Sequence, residues 1–322
     1  MRVQLPRPTV QHATWRAMGS AVEVVLVGAG DEHLDLVREV VAHLENRWSR
    51  FVATSDVSRL NRAAGDDPVC VDASTVRLLE AMASGAEATD GAYDPTLLAP
   101  LVSLGYAASW EDPAAVTSLL PGTALRSDVR RVLVDRRLGV VQLPPGAVVD
   151  AGGIGKGLAA DIAVEAVLAA VPGAGAMVSI GGDVRVAGAP PDATGWVVAV
   201  ADEPGGDAVT ELRVVDAGIA TSGTMHRSWR APDGTAAHHL IDPRSGASTG
   251  TGPRAVVVAT VVAGTAAWAE VWTKALVVDG VERTLARLDD LRLPGRVRLG
   301  DGSVITNSSW SAIATGTPRR AS

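Results

Sequence analysis

The sequence predicts an α/β protein of the α+β kind, with mixed, largely antiparallel sheets and packed helices, on three observations. Residues 184–188, 195–201 and 211–216 are short apolar runs separated by Pro, Gly and Asp turns, the pattern of successive antiparallel strands. Stretches near 31–47, 72–89, from just after the glycines at 152–157 to about 168, and 265–278 read as helices set among such strands. The 322 residues are 47% hydrophobic and 3% aromatic, so the core must be built from Val, Leu and Ala. That length allows one large domain or two closely joined ones. There is no internal repeat, low-complexity linker or clean boundary. The expected layout is an N-terminal arm over 1–13, a single domain over 14–313 and a flexible tail over 314–322.

In chain order, residues 16–27 read as strand, with Val22, Val24, Val25 and Leu26 following Met18-Gly19-Ser20. Asp31 is placed as the cap of a helix whose Leu34, Val37, Val40, Val41 and Leu44 recur at helical spacing. A polar loop over 48–61 closes in a short turn. The second helix, 72–89, is broken by Gly91-Ala92-Tyr93-Asp94-Pro95-Thr96. Residues 101–146 are irregular, with strands near 131–134 and 139–143. The apolar run 147–149 reads as a strand entering a glycine turn, and 176–180 as a strand ending in Gly181-Gly182-Asp183. Further on come a strand end at Thr221-Ser222-Gly223, a polar hairpin around Asp233-Gly234 and a β-branched strand over 256–262. A short helix (281–288) and two strands (296–299, 303–306) follow.

A net charge of −7 argues against a nucleic-acid surface. One cysteine, Cys70, excludes an internal disulfide framework and a Cys-based zinc site, and reads as a small core hydrophobe. The opening residues lack the apolar run of a secretory signal or a lipobox cysteine. The run 255–269 has fifteen residues, short of the roughly 20 a bilayer span requires. A soluble, cytoplasmic protein with no transmembrane segment is expected.

The chain is organised around Asp150-Ala151-Gly152-Gly153-Ile154-Gly155-Lys156-Gly157, followed by an Ala-rich helix containing Asp161. Glycines at a helix start let a ligand approach the backbone, whose N–H groups can face an anion. A simple tight connection suits the same residues. The spacing matches neither a Walker loop nor G-x-G-x-x-G. Lysine usage adds weight: Lys156 and Lys274 are the only two, against 27 arginines. An Arg-rich chain that keeps Lys at two points is expected to need a compact ammonium there.

Taken singly, the remaining motifs are ordinary. Asp242-Pro243 suits a turn, Thr221-Ser222-Gly223 a strand end, and Tyr93-Asp94-Pro95 a helix terminator. The pair His238-His239 suits a surface or a satisfied core position. No Ser-His-Asp order and no metal-type His cluster emerges.

Taken in order, the motifs resemble the ApbE-type FAD:protein FMN transferases. The resemblance begins at Met18-Gly19-Ser20 and continues through Ser49-Arg50-Phe51, Ser55 to Asn61, and Gly91 to Thr96. It includes the glycine turn with Asp161, Ile180-Gly181-Gly182-Asp183 and Thr221-Ser222-Gly223. It closes with His239-Leu240-Ile241-Asp242-Pro243-Arg244-Ser245-Gly246 and the helix at Ala269-Glu270, covering about 14–280. It implies an ApbE-like fold and transfer of FMN from FAD to a Thr or Ser hydroxyl of an acceptor protein, with release of AMP. It also implies that Met18, Phe51, Ala92, Tyr93, Asp94, Asp150, Gly153, Lys156, Thr221, Ser222 and Ile241 meet FAD. Asp150, Lys156, His239, Glu270 and Lys274 are the implied catalytic set, and the Gly153 carbonyl with Glu270 the implied magnesium ligands. Phe51 stands where relatives commonly have Tyr.

One departure concerns the metal. The family's late helix reads Ala-Asp-x-x-x-Thr-Ala-Leu, with Asp and Thr on magnesium, whereas this chain has Ala269-Glu270-Val271-Trp272-Thr273-Lys274-Ala275-Leu276. Glu270 and Lys274 are four apart and share a helix face. Glu270 can still ligate Mg2+ while Lys274 assists with phosphate. Alternatively, the Lys274 ammonium sits where the metal would, held by Glu270. The third possibility is an ordinary i,i+4 pair worth about 0.2–0.5 kcal/mol. It would belong to an FAD-binding protein with weak or lost transfer activity; a separate alternative is slow hydrolysis of FAD to FMN and AMP, at the same site with water as acceptor.

Overall fold

The computed structural model describes residues 9–315 apart from 193, 204, 205, 226 and 251. The chain opens with a hairpin, β1 (Val10–Ala17) and β2 (Ser20–Val27), joined by Met18 and Gly19. Both turn residues have positive φ, 53° and 64°, the two-residue geometry whose twist matches that of the strands. Met18 holds this left-handed conformation while its N–H donates to Glu45 Oε1 at 2.7 Å. The expected arm is therefore shorter than 1–13, because residues 10–13 already pair with β2. Residues 1–8 lie outside the described residues.

Next come α1 (Glu32–Trp48), α2 (Asp56–Arg62), β3 (Val69–Cys70), α3 (Ala73–Ala88) and α4 (Leu98–Ser103). Leu34, Val37, Val41, Leu44 and Trp48 form the buried stripe of α1. Asp31 precedes that helix but makes no side-chain cap, whereas Ser55 and Asp72 do cap α2 and α3. The strands β4 (Leu133–Asp135) and β5 (Val140–Gln142) join β3 in a small sheet of order β3-β5-β4. Cys70 occupies its outer edge and is exposed, not a core residue.

The second half contributes α5 (Gly155–Ala170), β6 (Gly175–Ile180), β7 (Asp183–Gly188), β8 (Trp196–Ala201), β9 (Ala208–Val214) and β10 (Ala217–Gly223). Then follow β11 (Ser228–Arg230), β12 (Ala236–His238), β13 (Val256–Ala263), α6 (Ala266–Asp279), α7 (Val281–Asp290), β14 (Gly295–Leu299) and β15 (Val304–Thr306). Eight strands form one sheet, β1-β2-β6-β7-β10-β13-β14-β15, and every neighbouring pair is antiparallel. Val22, Val24, Leu26, Ala176, Val178 and Ile180 on one face pack with α1 and α5. On the opposite face, Val186, Ala217 and Ile219 meet Trp196, Leu212 and Trp310 around the β8–β9 hairpin. Ala314 and Thr315, expected in the flexible tail, are tied down instead: Ala314 bridges to Leu212 and the Thr315 N–H donates to Glu211 O. Residues 316–322 lie outside the described residues. No described helix is long and apolar enough to cross a membrane.

Two details place the centre of the molecule. Helices α5 and α6 approach so closely that a Cβ at Gly157 would stand 2.5 Å from the Ala266 carbonyl oxygen. Asp161 on α5 caps α6, its two oxygens accepting the N–H groups of Ala266 (2.8 Å) and Ala267 (3.0 Å). Burial pushes its carboxyl up to about 6.

Residues 147–149 do not form the expected strand. The side-chain amide of Asn61 stands in for a neighbouring strand, donating to Val149 O at 2.9 Å and accepting from Val149 N–H at 2.8 Å. The Asp150 N–H then donates to Pro95 O at 2.9 Å. Asn61→Ala leaves a buried N–H and C=O unpaired and is expected to cost about 1–3 kcal/mol. The loss is read as a lower urea midpoint at unchanged slope; an unshifted midpoint would refute this role for Asn61.

Candidate active site

The end of α1, the 92–97 segment, the glycine turn, residues 239–241 and α6 enclose a cleft of about 470 Å³, within the range of small-molecule sites. Residue types scarce in the sequence converge on it: the only Phe (Phe51), both tyrosines (Tyr93, Tyr106) and both lysines line its walls.

One wall is built around Arg50. Its guanidinium is buried, donating to Thr117 Oγ1 and to Tyr106 O at 2.9 Å each, with Nε 3.5 Å from Asp150 Oδ2. The same group lies 4.2 Å from the Phe51 ring centre and 4.7 Å from that of Tyr106, a cation–π arrangement that steadies both rings. Tyr106 also sits 6.3 Å, centre to centre, from Phe51 and from Trp110. Arg227 reaches across to Gly19 O at 3.2 Å and to the Tyr106 hydroxyl at 3.4 Å.

The floor is the glycine turn. Asp150 Oδ1 accepts the Gly152 N–H at 3.1 Å. A Cβ at Gly153 would lie 2.9 Å from the Tyr93 ring and 3.8 Å from Lys274 Cε, so glycine lets these two side chains close over the turn. Asp94 accepts from the Thr96 N–H at 2.8 Å and from Arg126 Nε at 2.8 Å, tying this segment to the 126 region. The Tyr93 hydroxyl is raised well above its usual value, first by burial and then by the Glu270, Asp150 and Asp94 carboxylates. It is thus a neutral donor, and neither it nor the buried Trp48 indole N–H has a hydrogen-bond partner among the described residues. Buried unpaired donors lining a cleft are ones a bound ligand can satisfy.

Behind the floor, Glu270 is fully buried. Its Oε1 accepts from Lys156 Nζ at 2.8 Å and Lys274 Nζ at 3.4 Å, and its Oε2 accepts the Gly157 N–H at 2.9 Å. Lys156 also pairs with Asp183. Lys274 donates to Ser222 Oγ at 3.0 Å. Because Thr273 Oγ1 donates to the Glu270 carbonyl at 2.7 Å, Ser222 must donate to Thr273 at 2.7 Å, which leaves its lone pairs for Lys274. Two carboxylates and two ammoniums balance, as buried charge requires. Burial by itself raises Glu270, but the two lysines hold it below its ordinary value. Asp183 is pushed up to about 6 by burial and by Glu270. Burial would lower Lys156, yet Asp183 and Glu270 hold it above the usual lysine range. Lys274 is lowered by burial, with Lys156 adding to the effect and Glu270 opposing it.

The two histidines separate. His238 is a core residue, its Nε2 on Thr249 O at 3.1 Å and its Nδ1 accepting the Leu240 N–H at 3.3 Å. His239 lines the cleft, with Nδ1 3.4 Å from Arg227 O. A carbonyl only accepts, so Nδ1 carries the proton and Nε2 keeps its lone pair. Burial, then the Arg227 and Lys274 charges, hold His239 well below its usual pKa, so it is neutral.

Of the residues singled out from sequence, Met18, Phe51, Ala92, Tyr93, Asp94, Asp150, Gly153, Lys156, His239, Ile241 and Lys274 all border the cleft. Glu270 and Ser222 stand behind it, each touching Lys274. Thr221 is the exception. Strand alternation turns it to the other sheet face, where it bonds Thr260 at 3.0 Å. Arg50, Tyr106 and Arg227 were not singled out. Tyr106 had a signal, as one of two tyrosines, and Arg50 stood inside the Ser49-Arg50-Phe51 motif without a role assigned to it, but Arg227 is hidden among 27 arginines.

The implied magnesium ligands do not fit a divalent ion. Both Glu270 oxygens are committed, and Lys274 passes beside Gly153 and brings its ammonium to Glu270, so a positive charge already occupies the Glu270 carboxylate. Among the described residues no set of three His, Cys, Asp or Glu side chains is placed to hold a metal.

The chain is 28% identical over 278 residues to an FAD:protein FMN transferase of Klebsiella pneumoniae, covering 84% of this chain and 83% of that protein. A protein of the same name from Treponema pallidum is 35% identical over 213 residues, covering 60% and 57%. Among solved structures, the ApbE protein of Thermotoga maritima superposes with a TM-score of 0.81 at 25% identity, over 94% of this chain and 99% of that one. The flavin transferase ApbE of Vibrio cholerae shares the fold, at a TM-score of 0.74 and 22% identity over 95% and 99%. With the ApbE family model matching residues 18–295, the glycine turn and every residue bordering the cleft fall within its span, and the chain belongs to the ApbE family.

Proposed function

We propose that this chain is an FAD:protein FMN transferase, binding FAD, passing FMN to a Thr or Ser hydroxyl of an acceptor protein and releasing AMP. The observation that carries it is one cleft presenting two ammoniums and a neutral histidine beside a glycine turn, in a member of this family. A diphosphate is a dianionic group that needs fixed positive charge and N–H donors. Lys156, Lys274 and the start of α5 supply both. The apolar wall of Phe51 and Tyr106, stiffened by Arg50, suits a flat ring system of FAD. Tyr93 and Trp48 offer donors that such a ligand would satisfy.

In the transfer step the acceptor hydroxyl oxygen forms a bond to the FMN-side phosphorus. The bond from that phosphorus to the bridging oxygen breaks, and AMP leaves with that oxygen. The hydroxyl proton passes to His239 Nε2. Lys156 and Lys274 face the charge that builds on the phosphoryl oxygens, and the rigid floor keeps them aimed during the step. Lys156, locked between Asp183 and Glu270, remains charged throughout.

The direct test is incubation with FAD and a candidate acceptor protein. The expected result is a mass gain of one FMN on a Thr or Ser, with AMP released in equal amount. AMP appearing without any acceptor would instead indicate hydrolysis, and FAD bound with no AMP under any condition would refute transfer.

His239→Gln is expected to lower the transfer rate by about 10²–10⁴-fold, the usual share of a general base, while FAD still binds. Because His239 sits well below 6.5 in the fold, kcat/KM should stay level as pH drops through 6.5 and fall only at lower pH. The variant should lack that limb. The same depression has a stability consequence. The unfolded chain takes up this proton first, so the stability present above 6.5 is lost as pH falls below it. A kcat/KM limb centred at 6.5 or above would exclude His239 as the base.

A further inference from the structure

The geometry points to Lys274 as a built-in replacement for a divalent cation, so that this chain binds FAD and releases AMP without a metal. The inference takes its substrate from the transferase reading and concerns how the charge on that substrate is met. Its basis is the path of one side chain. Lys274 leaves α6, passes Gly153 with its Cε 3.8 Å from where a Cβ there would stand, and ends 3.4 Å from Glu270 Oε1. Gly153 and Glu270 are the two groups that would have to share a metal. The side chain that runs past the first and bonds the second carries an ammonium.

The surroundings complete this arrangement. Hard divalent ions ask for several free oxygen ligands. Here Glu270 Oε1 already receives two ammoniums and Oε2 a backbone N–H. Ser222 Oγ, the remaining oxygen beside Lys274, is an acceptor of the Lys274 ammonium and a donor to Thr273. The carboxylates stand at the back and the lysines at the front: Lys156 and Lys274 border the cleft, while Asp183 and Glu270 do not. A ligand in the cleft therefore meets two positive charges whose counter-charges are turned away from it. Lys156 is shared between both carboxylates, whereas Lys274 is held by one long ion pair and a neutral serine, so Lys274 is the ammonium less tightly bound and the readier to lean toward a diphosphate.

The experiment compares the full-length protein in EDTA and in MgCl2, following FAD binding by flavin fluorescence and AMP release by chromatography. Mn2+ titrated into the FAD complex, observed by the EPR signal of the free ion, supplies a readout independent of turnover. Expected are equal FAD affinity in both buffers, AMP release in EDTA with acceptor present, and a free-Mn2+ signal undiminished by the protein. Lys274→Met should weaken FAD by about tenfold or more, the loss of one charge-assisted contact, with no recovery in MgCl2. The pair Glu270→Asp with Lys274→Thr should create Mn2+ binding. One Mn2+ bound per unsubstituted chain, or AMP release that requires MgCl2, would overturn the inference and leave the transferase reading standing. FAD bound equally in EDTA but never cleaved with any acceptor, with or without MgCl2, would sink the transferase reading and overturn the AMP-release half of the inference together, a result distinct from Mg2+-dependent release.

Discussion

A single buried carboxylate, that of Glu270, takes hydrogen bonds from two ammoniums and a backbone N–H, and the working part of the molecule is arranged around it. An isolated charge at that depth would be prohibitive. Its partners come from α5 (Lys156 and the Gly157 N–H) and from one turn further along its own helix α6 (Lys274), and Lys156 carries the network on to Asp183 at the start of β7. Satisfying Glu270 therefore brings those elements together in one relative position. The same ion pairs that neutralise the interior turn both lysines toward the cleft, so interior charge balance and ligand-facing charge come from one set of bonds.

The scaffold explains why that position is rigid. Gly157 permits α5 and α6 to touch at the backbone, and Asp161 fastens the two by capping one from the other. Beneath them the antiparallel sheet alternates faces, sending Ser222 up to α6 and Thr221 down to Thr260. Above, Arg50 holds the aromatic wall and reaches Asp150, so the wall and floor of the cleft are joined through one guanidinium. Arg227 joins the hairpin tip at Gly19 to Tyr106 on the far side.

Most elements of this fold were legible because they obey local rules. The β-branched runs became strands, the periodic run at 34–44 became the buried stripe of α1, and Asp233-Gly234 turned a hairpin. The failures share a physical cause, which is that the deciding partner is distant. Residues 147–149 look like a strand, but their partner is the amide of Asn61, 88 positions away. Cys70 looks like a core residue, but an edge strand leaves it exposed. Asp31 has the right chemistry for a cap and the wrong backbone geometry, with φ −61° and ψ −30°. Thr221 belongs to the expected motif, yet the pleat points it away from the cleft.

By itself, the sequence determined the composition of the site: a glycine turn, two lysines kept in an arginine-rich chain, and a Glu four residues before one of them. These are statements about residue type and spacing, which local chemistry reads directly. Only the tertiary structure decided that the Glu270 carboxylate is already committed, because the bonds that commit it come in part from Lys156 and Gly157, more than a hundred residues earlier. Whether a helix-borne glutamate is free to ligate or already committed is a property of everything packed against it, and no window of sequence contains that.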